Sequence, residues 1–325
     1  MTDAKTAPAP GSHGASGWVE AGCFVLALTA LNLTYAAGHA SGVHPVAFLV
    51  YAMLSAAFTL LVITGPGTAW RAVVTHPLSW VIGAGIIGME ATYYMLLRYV
   101  SPADGSILIR LNLPVSMLAA WLFLRRRSPR LAVLGGTMVA GFVGWFVSGV
   151  EAAVIDATIA LSLSCALISV TRNFSAELHP HNRAARTVWE KMRVTGLMLL
   201  VTSMAGTAFV VGLMVLTAQG TLPEIAAIPK PEAFMHLPTI LLAAFMGCLV
   251  LTAMQYFGFS SVVKIGTENF IAANSLIPVT TLVAQHAVAA VGWMPVAPVD
   301  SRFAIALVGM LAGVTLYLIA ARLRR

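Results

Sequence analysis

Residues 103–124 read ADGSILIRLNLPVSMLAAWLFL, an apolar stretch that contains one charged residue in its interior, Arg110, and one proline, Pro114. A helix of about 20 mostly apolar residues is long enough to cross the roughly 30 Å hydrocarbon core of a bilayer. Proline has no N–H to donate to the carbonyl four residues earlier, which here belongs to Arg110. The stretch therefore predicts a membrane-spanning helix that is interrupted near its middle.

The composition of the whole chain agrees with a membrane protein. Hydrophobic residues make up 59% of the 325 residues, charged residues only 10%, and the mean hydropathy is +0.87. A soluble domain carries about 25% charged residues, because its surface faces water. We therefore predict an all-α membrane protein and not a soluble enzyme.

Further apolar runs predict ten transmembrane helices in total. They are Trp18–Gly38, Pro45–Thr64, Leu78–Leu97, Ala103–Leu124, Leu131–Ser148, Ala153–Thr171, Val194–Leu216, Leu237–Phe257, Asn269–Ala290 and Phe303–Ala321. Residues 1–17 are rich in Ala, Pro, Gly and Ser, and we expect a disordered tail there. This segment lacks the basic region and cleavage site of a signal peptide, so we expect the first helix to be retained.

Lysine and arginine are distributed unevenly between the two sets of loops. The loops on the side of the N-terminus hold Arg71, the cluster Arg125–Arg130, the stretch Arg172–Arg193, Lys264 and the C-terminal arginines. The opposite side holds Arg98, Lys230 and Arg302. Basic residues favour cytoplasmic loops, so both termini are predicted to be cytoplasmic, in a bacterial inner membrane. The formal charge of +7 is then a topology signal, and no nucleic-acid partner is expected.

The second half of the chain matches the first half in sequence at two neighbouring helices. A shift of 164 residues places Asp104 on Glu268, Arg110 on Asn274 and Pro114 on Pro278, and a shift of 172 aligns the next helix. Two five-helix repeats, residues 18–150 and 151–325, follow from this match. Since five is odd, the second repeat enters the membrane from the opposite side. Inverted repeats are typical of carriers that expose one central site alternately to either side.

Several short segments carry a resemblance to a known family. They are Tyr99-Val100-Ser101-Pro102-Ala103, Leu113-Pro114-Val115 and Leu122-Phe123-Leu124, with Ser260-Ser261-Val262-Val263 and Leu276-Ile277-Pro278-Val279 in the second half. With the 5+5 plan, they resemble EamA-type members of the drug/metabolite transporter superfamily. That resemblance implies a ten-helix metabolite transporter, and many relatives are exporters. Family repeats usually have a Glu after the Leu-Phe-Leu segment, where this chain has Arg125–Arg127.

Charged and polar residues inside the predicted spans mark the candidate binding site, because charges in a bilayer usually face a cavity or a partner. Glu90 and Arg110 are the central pair, and we expect them either to bind substrate or only to neutralise each other. The remaining candidates are Tyr93 and Tyr94, which share a helix face with Glu90, together with Asn32, Tyr35, Gln255 and Asn274. Pro278 frees the Asn274 carbonyl as Pro114 frees that of Arg110.

These residues suit a small solute that carries both charges. We predict an amino acid or related zwitterion, with its carboxylate on Arg110 and its ammonium on Glu90. Proton exchange at Glu90 would couple transport to the proton gradient. A phosphorylated or lipid-linked substrate is the second possibility, and an intramembrane enzyme or a scaffold is the alternative of another class. No cofactor or metal is expected, His179-Pro180-His181 is interpreted as a solvated loop, and the chain is predicted to be a monomer or homodimer.

Overall fold

The computed structural model describes residues 14–223, 228–292 and 299–323, and within these ranges the chain is helical with no β-strand. Ten long helices, labelled α1 to α10, make up most of it. They are α1 (Gly14–Ala40), α2 (Pro45–Thr64), α3 (Pro77–Leu96), α4 (Pro102–Leu124), α5 (Arg130–Val147), α6 (Ile155–Leu178), α7 (Val188–Ala218), α8 (Leu237–Ile265), α9 (Thr267–Ala290) and α10 (Ser301–Leu323). Short helices occupy three of the connections, at Trp70–Thr75, Pro180–Ala184 and Pro231–Met235.

Nine of the described helices are long and apolar enough to cross a membrane, and α3 is the long helix that falls outside this group. Helix α3 carries Glu90 and three glycines, which lower its mean hydropathy. Large apolar side chains such as Phe58, Phe123 and Val308 are exposed on the outer faces of the bundle. Exposed apolar faces on long helices are typical of a multi-pass membrane protein.

Four helix ends differ from the sequence prediction by four residues or more, and the largest difference is at α8, which ends at Ile265 and not at Phe257. Helix α1 begins at Gly14, so residues 14–17 are helical and not part of a disordered tail, and Ser261 Oγ donates to the carbonyl of Gly17 at 2.9 Å. Helix α6 continues to Leu178, where Thr171 was the predicted end. Helix α7 begins at Val188, six residues early, because Thr187 and Glu190 form a capping box.

Parts of the prediction lie outside the described residues: the tail as far as residue 13, residues 293–298 of the long final connection, and Arg324 and Arg325. The two-repeat division and the cytoplasmic termini stay predictions.

The helices pack in a regular set of pairs. Extensive contacts join α1 to α8, α3 to α6, α2 to α7 and α5 to α10, and α4 also contacts α9. Exchanging each helix of the first five for the helix five places later leaves this set of pairs unchanged. The pairs α1–α8 and α3–α6 are exchanged for each other, and the pairs α2–α7, α4–α9 and α5–α10 stay the same.

Two glycines at the spacing of the sequence repeat make close helix contacts. A Cβ on Gly83 of α3 would lie 2.0 Å from Thr202 of α7. Gly247, 164 residues later in α8, would place a Cβ 2.3 Å from the carbonyl oxygen of Ala52 in α2. Small residues allow helix backbones to approach closely in membranes, so these two glycines fix the spacing of α3–α7 and α8–α2.

Both helices with internal prolines are irregular near their centres. Helix α4 contains a 3₁₀ turn at Ile109–Leu111 and α9 contains one at Asn274–Leu276. Helix α8 has a π-helical segment at Gly247–Leu251. Such interruptions leave main-chain groups outside the regular hydrogen-bond ladder, and they are common at functional sites.

Candidate functional site

A carboxylate and three tyrosines meet where α1 packs near α3. The Tyr35 hydroxyl of α1 donates to Glu90 Oε2 of α3 at 2.6 Å. The Tyr35 ring centroid is 4.9 Å from that of Tyr94 and 6.4 Å from that of Tyr93. All four side chains are almost completely buried. The structure thus brings together four of the candidates chosen from the sequence.

The second centre joins the two interrupted helices. Arg110 Nε donates to the carbonyl of Ser106 at 3.0 Å, and Nη1 donates to the main-chain carbonyl of Asn274. That acceptor is the carbonyl that Pro278 was predicted to free. The Asn274 carbonyl accepts from the N–H of Ile277 in the 3₁₀ turn and from Arg110, which replaces the donor that Pro278 lacks. Arg110 thereby links α4 to α9 in the interior.

Glu90 and Arg110 do not form the ion pair that was considered as their alternative role. Oε2 of Glu90 is bonded to Tyr35, Oε1 has no hydrogen-bond partner, and Arg110 bonds main-chain carbonyls instead. The reason is positional, since Arg110 is held between α4 and α9 whereas Glu90 faces α1. Neither Glu90 nor Arg110 is in direct contact with a group of opposite charge.

A second buried arginine, Arg172, was missed by the sequence analysis, which assigned it to a cytoplasmic loop. Because α6 continues to Leu178, Arg172 lies within the helix and is 4% exposed. Its Nε and Nη2 donate to Asn173 Oδ1 at 3.4 and 3.3 Å, and it interacts electrostatically with Glu90. One sequence signal could have found it: the small or polar residues Ser162, Cys165 and Ser169 lead to Arg172 on one helix face at steps of three and four.

Two other candidates lie in the interior without joining the tyrosine cluster directly. Asn32 Nδ2 of α1 donates to Thr281 Oγ1 of α9 at 3.3 Å, and the hydroxyls of Thr29 and Thr280 are 2.6 Å apart one turn away. Gln255 of α8 is buried, and its Nε2 has no hydrogen-bond partner. Asn32 is therefore placed mainly to connect α1 with α9.

Several buried polar atoms in this region have no hydrogen-bond partner. They are Glu90 Oε1, Tyr93 Oη, Asn32 Oδ1, Asn274 Oδ1 and Ser275 Oγ. Buried polar atoms in proteins are nearly always bonded, so a cluster of unpaired ones needs a specific explanation. Together with the two guanidiniums they offer both donors and acceptors to a polar solute. We call Tyr35, Glu90, Tyr93, Arg110, Arg172 and Asn274 the central cluster.

A network of ion pairs lies at the predicted cytoplasmic end of the bundle. Arg126, just after α4, bonds Glu177 of α6 at 2.8 Å, and Glu177 Oε2 accepts from the N–H and the hydroxyl of Thr267 at 3.0 and 2.6 Å. Burial alone would lower the pKa of Arg126, but the bond and charge of Glu177 raise it above its ordinary value. Glu268 lies 3.7 Å from Arg126. Helices of both predicted repeats are tied together here.

Three histidines gather beside this end. The ring centroids of His76 and His179 are 4.8 Å apart, and that of His181 is 5.8 Å from that of His179. The prediction of a solvated loop is wrong for His179, which is completely buried, whereas Pro180 is exposed and His181 is partly exposed. His179 Nδ1 accepts from the N–H of Asn182, and Nε2 bonds Ser79 Oγ at 2.9 Å. Within the described residues no group of three ligand-type side chains is arranged to hold a metal ion.

Two sizeable grooves lie away from the central cluster. One of about 490 Å³ runs between α4 and α5, along Trp121 and Gly136. Another of about 620 Å³ is lined by Arg125–Pro129 and Tyr317. Both open on the outside of the bundle. The candidate site is defined by its buried polar and charged groups.

Comparison with known proteins supports the fold. No model of a known protein family matches the chain, and no curated protein matches its sequence. One solved structure, described only as "Crystal structure of protein", matches with a TM-score of 0.62 and 16% sequence identity. The match covers 94% of this chain and 99% of that chain. At this identity the likeness establishes a shared fold over nearly the whole chain and nothing about activity.

Proposed function

We propose that the chain is a secondary transporter that moves a small polar solute across a membrane by alternating access about the central cluster. The observation that carries this proposal is the hydrogen bond from Arg110 of α4 to the main-chain carbonyl of Asn274 in α9. It joins two helices that are both interrupted at this level. Paired discontinuous helices at the interface of two repeats are where many carriers bind their substrates.

The depth of the two residues supports a central site. Arg110 lies eight residues after the start of α4 and Asn274 seven after the start of α9. At 1.5 Å per residue these positions are about 12 and 10 Å inside their helices, within a hydrocarbon core of roughly 30 Å. If the two helices enter from opposite sides, both residues lie near the midplane.

The helix pairs and the glycines support an inverted repeat of two five-helix units. The packing pairs are unchanged when each helix is exchanged for the one five places later. Gly83 and Gly247 make equivalent close contacts at the 164-residue spacing of the sequence match. With α3 as the tenth membrane-spanning helix, this is the plan of the EamA-type transporters that the sequence resembles. We propose membership of that family and a place in the bacterial inner membrane.

For the cargo we propose an amino acid or related zwitterion. Arg110 would bind its carboxylate, and Glu90 Oε1, which has no hydrogen-bond partner, would bind its ammonium. The Tyr93 hydroxyl, also without a partner, would contribute a further polar contact. The proposed direction, export, rests on the family resemblance alone. Transport is coupled to protons if Glu90 gains and loses a proton during the transport cycle.

The second candidate is a phosphorylated or lipid-linked substrate, which requires more than one basic group at the site. Arg172 is such a group, since it is buried and close enough to Glu90 for electrostatic interaction. An enzyme or scaffold is the alternative of another class, and no observation at the central cluster favours it over transport.

Transport can be tested with the purified protein in liposomes. Counterflow of labelled amino acids, amines, carboxylates and sugar phosphates would be compared with protein-free liposomes. We expect at least one solute to equilibrate faster with protein, and Arg110→Ala and Glu90→Gln to abolish that movement. Arg183→Ala and Glu151→Gln are matched controls, because both side chains are exposed. If no solute in the panel moves faster than through protein-free liposomes, the proposal is rejected for these classes.

A further inference from the structure

The charges of the central cluster do not balance. Arg110 and Arg172 are both buried guanidiniums, with 1% and 4% of their surface exposed, and Glu90 is the single carboxylate of the cluster. Two positive charges and one negative charge leave a net charge of +1. A buried charge without compensation is strongly unfavourable, so such clusters are completed by an opposite charge.

The present contacts of the two arginines do not supply that charge. Arg110 donates to two main-chain carbonyls, which are neutral acceptors. Arg172 donates to one neutral oxygen, Asn173 Oδ1, at 3.3 and 3.4 Å, which is long for a charged hydrogen bond. A guanidinium has five N–H donors arranged to hold a carboxylate or phosphate with two parallel bonds. Arg172 therefore has unused capacity for an anion.

Residues of α3 before and after Glu90 lie near the two arginines. A Cβ on Gly85 of α3 would lie 2.9 Å from the Arg172 Cβ, so Arg172 leaves α6 at the level of Gly85. Tyr93, eight residues further along α3, lies beside the part of α4 that bonds Arg110: a Cβ on Gly105 would lie 3.6 Å from the Tyr93 hydroxyl, and the carbonyl of the next residue, Ser106, accepts from Arg110 Nε. Glu90 lies between these levels, about 7.5 Å beyond Gly85 and about 4.5 Å before Tyr93 at 1.5 Å per residue. Along α3, the contact with Arg172 comes first, then Glu90, then the residue that lies beside the Arg110 site.

A solute with the reverse set of charges would neutralise all three groups. We infer that the cargo carries two anionic groups and one cationic group, as an acidic amino acid does, and that Arg172 binds its second anionic group. This inference rests on the proposed transport function and makes its substrate class narrower. Arg110 then binds one carboxylate, Glu90 the ammonium, and Arg172 the side-chain carboxylate. The solute's net charge of about −1 completes the cluster.

The simpler alternative is that Arg172 only balances Glu90. In that case Arg110 remains the single uncompensated charge, and a neutral zwitterion or a monocarboxylate would be as good a ligand as an acidic amino acid. The two interpretations predict different binding of glutamate and glutamine, which have nearly the same shape and differ by one charge. Only an anion site at Arg172 predicts that glutamate binds more tightly.

The first experiment measures binding to the wild-type protein in detergent by thermal stabilisation. The probes are L-glutamate, L-aspartate, L-glutamine, L-alanine, succinate and L-lysine. We expect glutamate or aspartate to bind about tenfold or more tightly than glutamine and alanine, since a bond between charged groups is lost in the neutral analogues. Equal binding of glutamate and glutamine would overturn the inference, and this result requires no variant to fold.

The second experiment assigns the role to Arg172. Arg172→Gln should weaken glutamate binding about tenfold to a hundredfold while glutamine binding changes less than about twofold. Arg172→Lys keeps the charge but loses the paired donors, so we expect an intermediate glutamate affinity. Arg183→Gln, at an exposed arginine, is the control and should leave both affinities unchanged. If Arg172→Gln weakens glutamate and glutamine binding equally, Arg172 has only a structural role.

Counterflow in liposomes separates failure of this inference from failure of the proposed function. Movement of alanine or glutamine without movement or binding of glutamate would retain a transporter and overturn the acidic substrate. Binding of glutamate that depends on Arg172, without counterflow of any solute, would retain the anion site and overturn transport.

Discussion

The guanidinium of Arg110 in α4 donates to the main-chain carbonyl of Asn274 in α9, across 164 residues of sequence. The same number of residues separates the two positions in the internal sequence match. One member of the matched pair thus binds the backbone of the other. Pro278 cannot donate to this carbonyl, which accepts from the N–H of Ile277 and from Arg110.

Pro278→Ala should weaken this contact. The alanine restores an N–H that can bond the Asn274 carbonyl within α9, in competition with Arg110. We expect normal folded yield and an affinity for the probe L-glutamate about tenfold lower, measured by thermal stabilisation, because a charged contact is displaced. Pro77→Ala is the control, since Pro77 is exposed in the first turn of α3, where a missing N–H has no consequence. Unchanged affinity in Pro278→Ala would mean that Arg110 does not depend on this carbonyl.

Tyr35→Phe should destabilise the protein by about 1–3 kcal/mol, because it leaves Glu90 with both carboxylate oxygens unbonded in the interior. The present bond is 2.6 Å long and Glu90 is 1% exposed. The measurement is the free energy of unfolding in detergent. Tyr99→Phe removes an exposed hydroxyl and should change this free energy little. A similar effect of the two substitutions would show that the Tyr35–Glu90 bond contributes nothing specific.

Mild acid should destabilise the chain through His179. Burial first, and then the nearby His76 and His181, lower the pKa of His179 from 6.5 to about 4. The folded state therefore disfavours the protonated ring, so the unfolded state binds the proton first as the pH falls. The contribution of neutral His179 to the free energy of unfolding is complete above pH 6.5 and is lost progressively between pH 6.5 and about 4.

The check is the midpoint of thermal unfolding in detergent from pH 8 to pH 4.5, compared with His179→Asn. We expect the variant's midpoint to fall less steeply with acid than that of the wild type. His286→Asn, at an exposed histidine, should follow the wild-type curve. Parallel curves for wild type and His179→Asn would show that another group governs the acid response.

Gly135→Ala should destabilise the α5–α10 interface by about 1–3 kcal/mol, the usual effect of overpacking a closely fitted contact. A Cβ on Gly135 would lie 2.3 Å from the carbonyl oxygen of Gly313, and this backbone cannot rotate away as a side chain can. Gly141→Ala, in the same helix but with no atom within 4 Å of the added Cβ, is the matched control. Equal stability of the two variants, measured by thermal unfolding, would contradict the close contact.

The sequence determined the helical membrane-type architecture and the position of most helices. Apolar runs of spanning length depend on the solvent around each segment, so they can be recognised one segment at a time. The prolines likewise predicted the breaks in α4 and α9, because a missing N–H is a local property. Polar residues within apolar segments also identified Tyr35, Glu90, Tyr93 and Tyr94 as site candidates, and the structure places these four side chains in one cluster.

Only the tertiary structure decided which groups are partners. Local spacing suggested that Glu90 would face Arg110, but Glu90 bonds Tyr35 of α1 and Arg110 bonds the Asn274 carbonyl of α9. Arg172 appeared to belong to a loop, since a charge usually ends an apolar run, yet α6 carries it into the interior next to Glu90. Hydrogen-bond partners from distant helices are set by how the helices pack. The packing depends on many side chains from several helices at once, so no single segment of sequence predicts it.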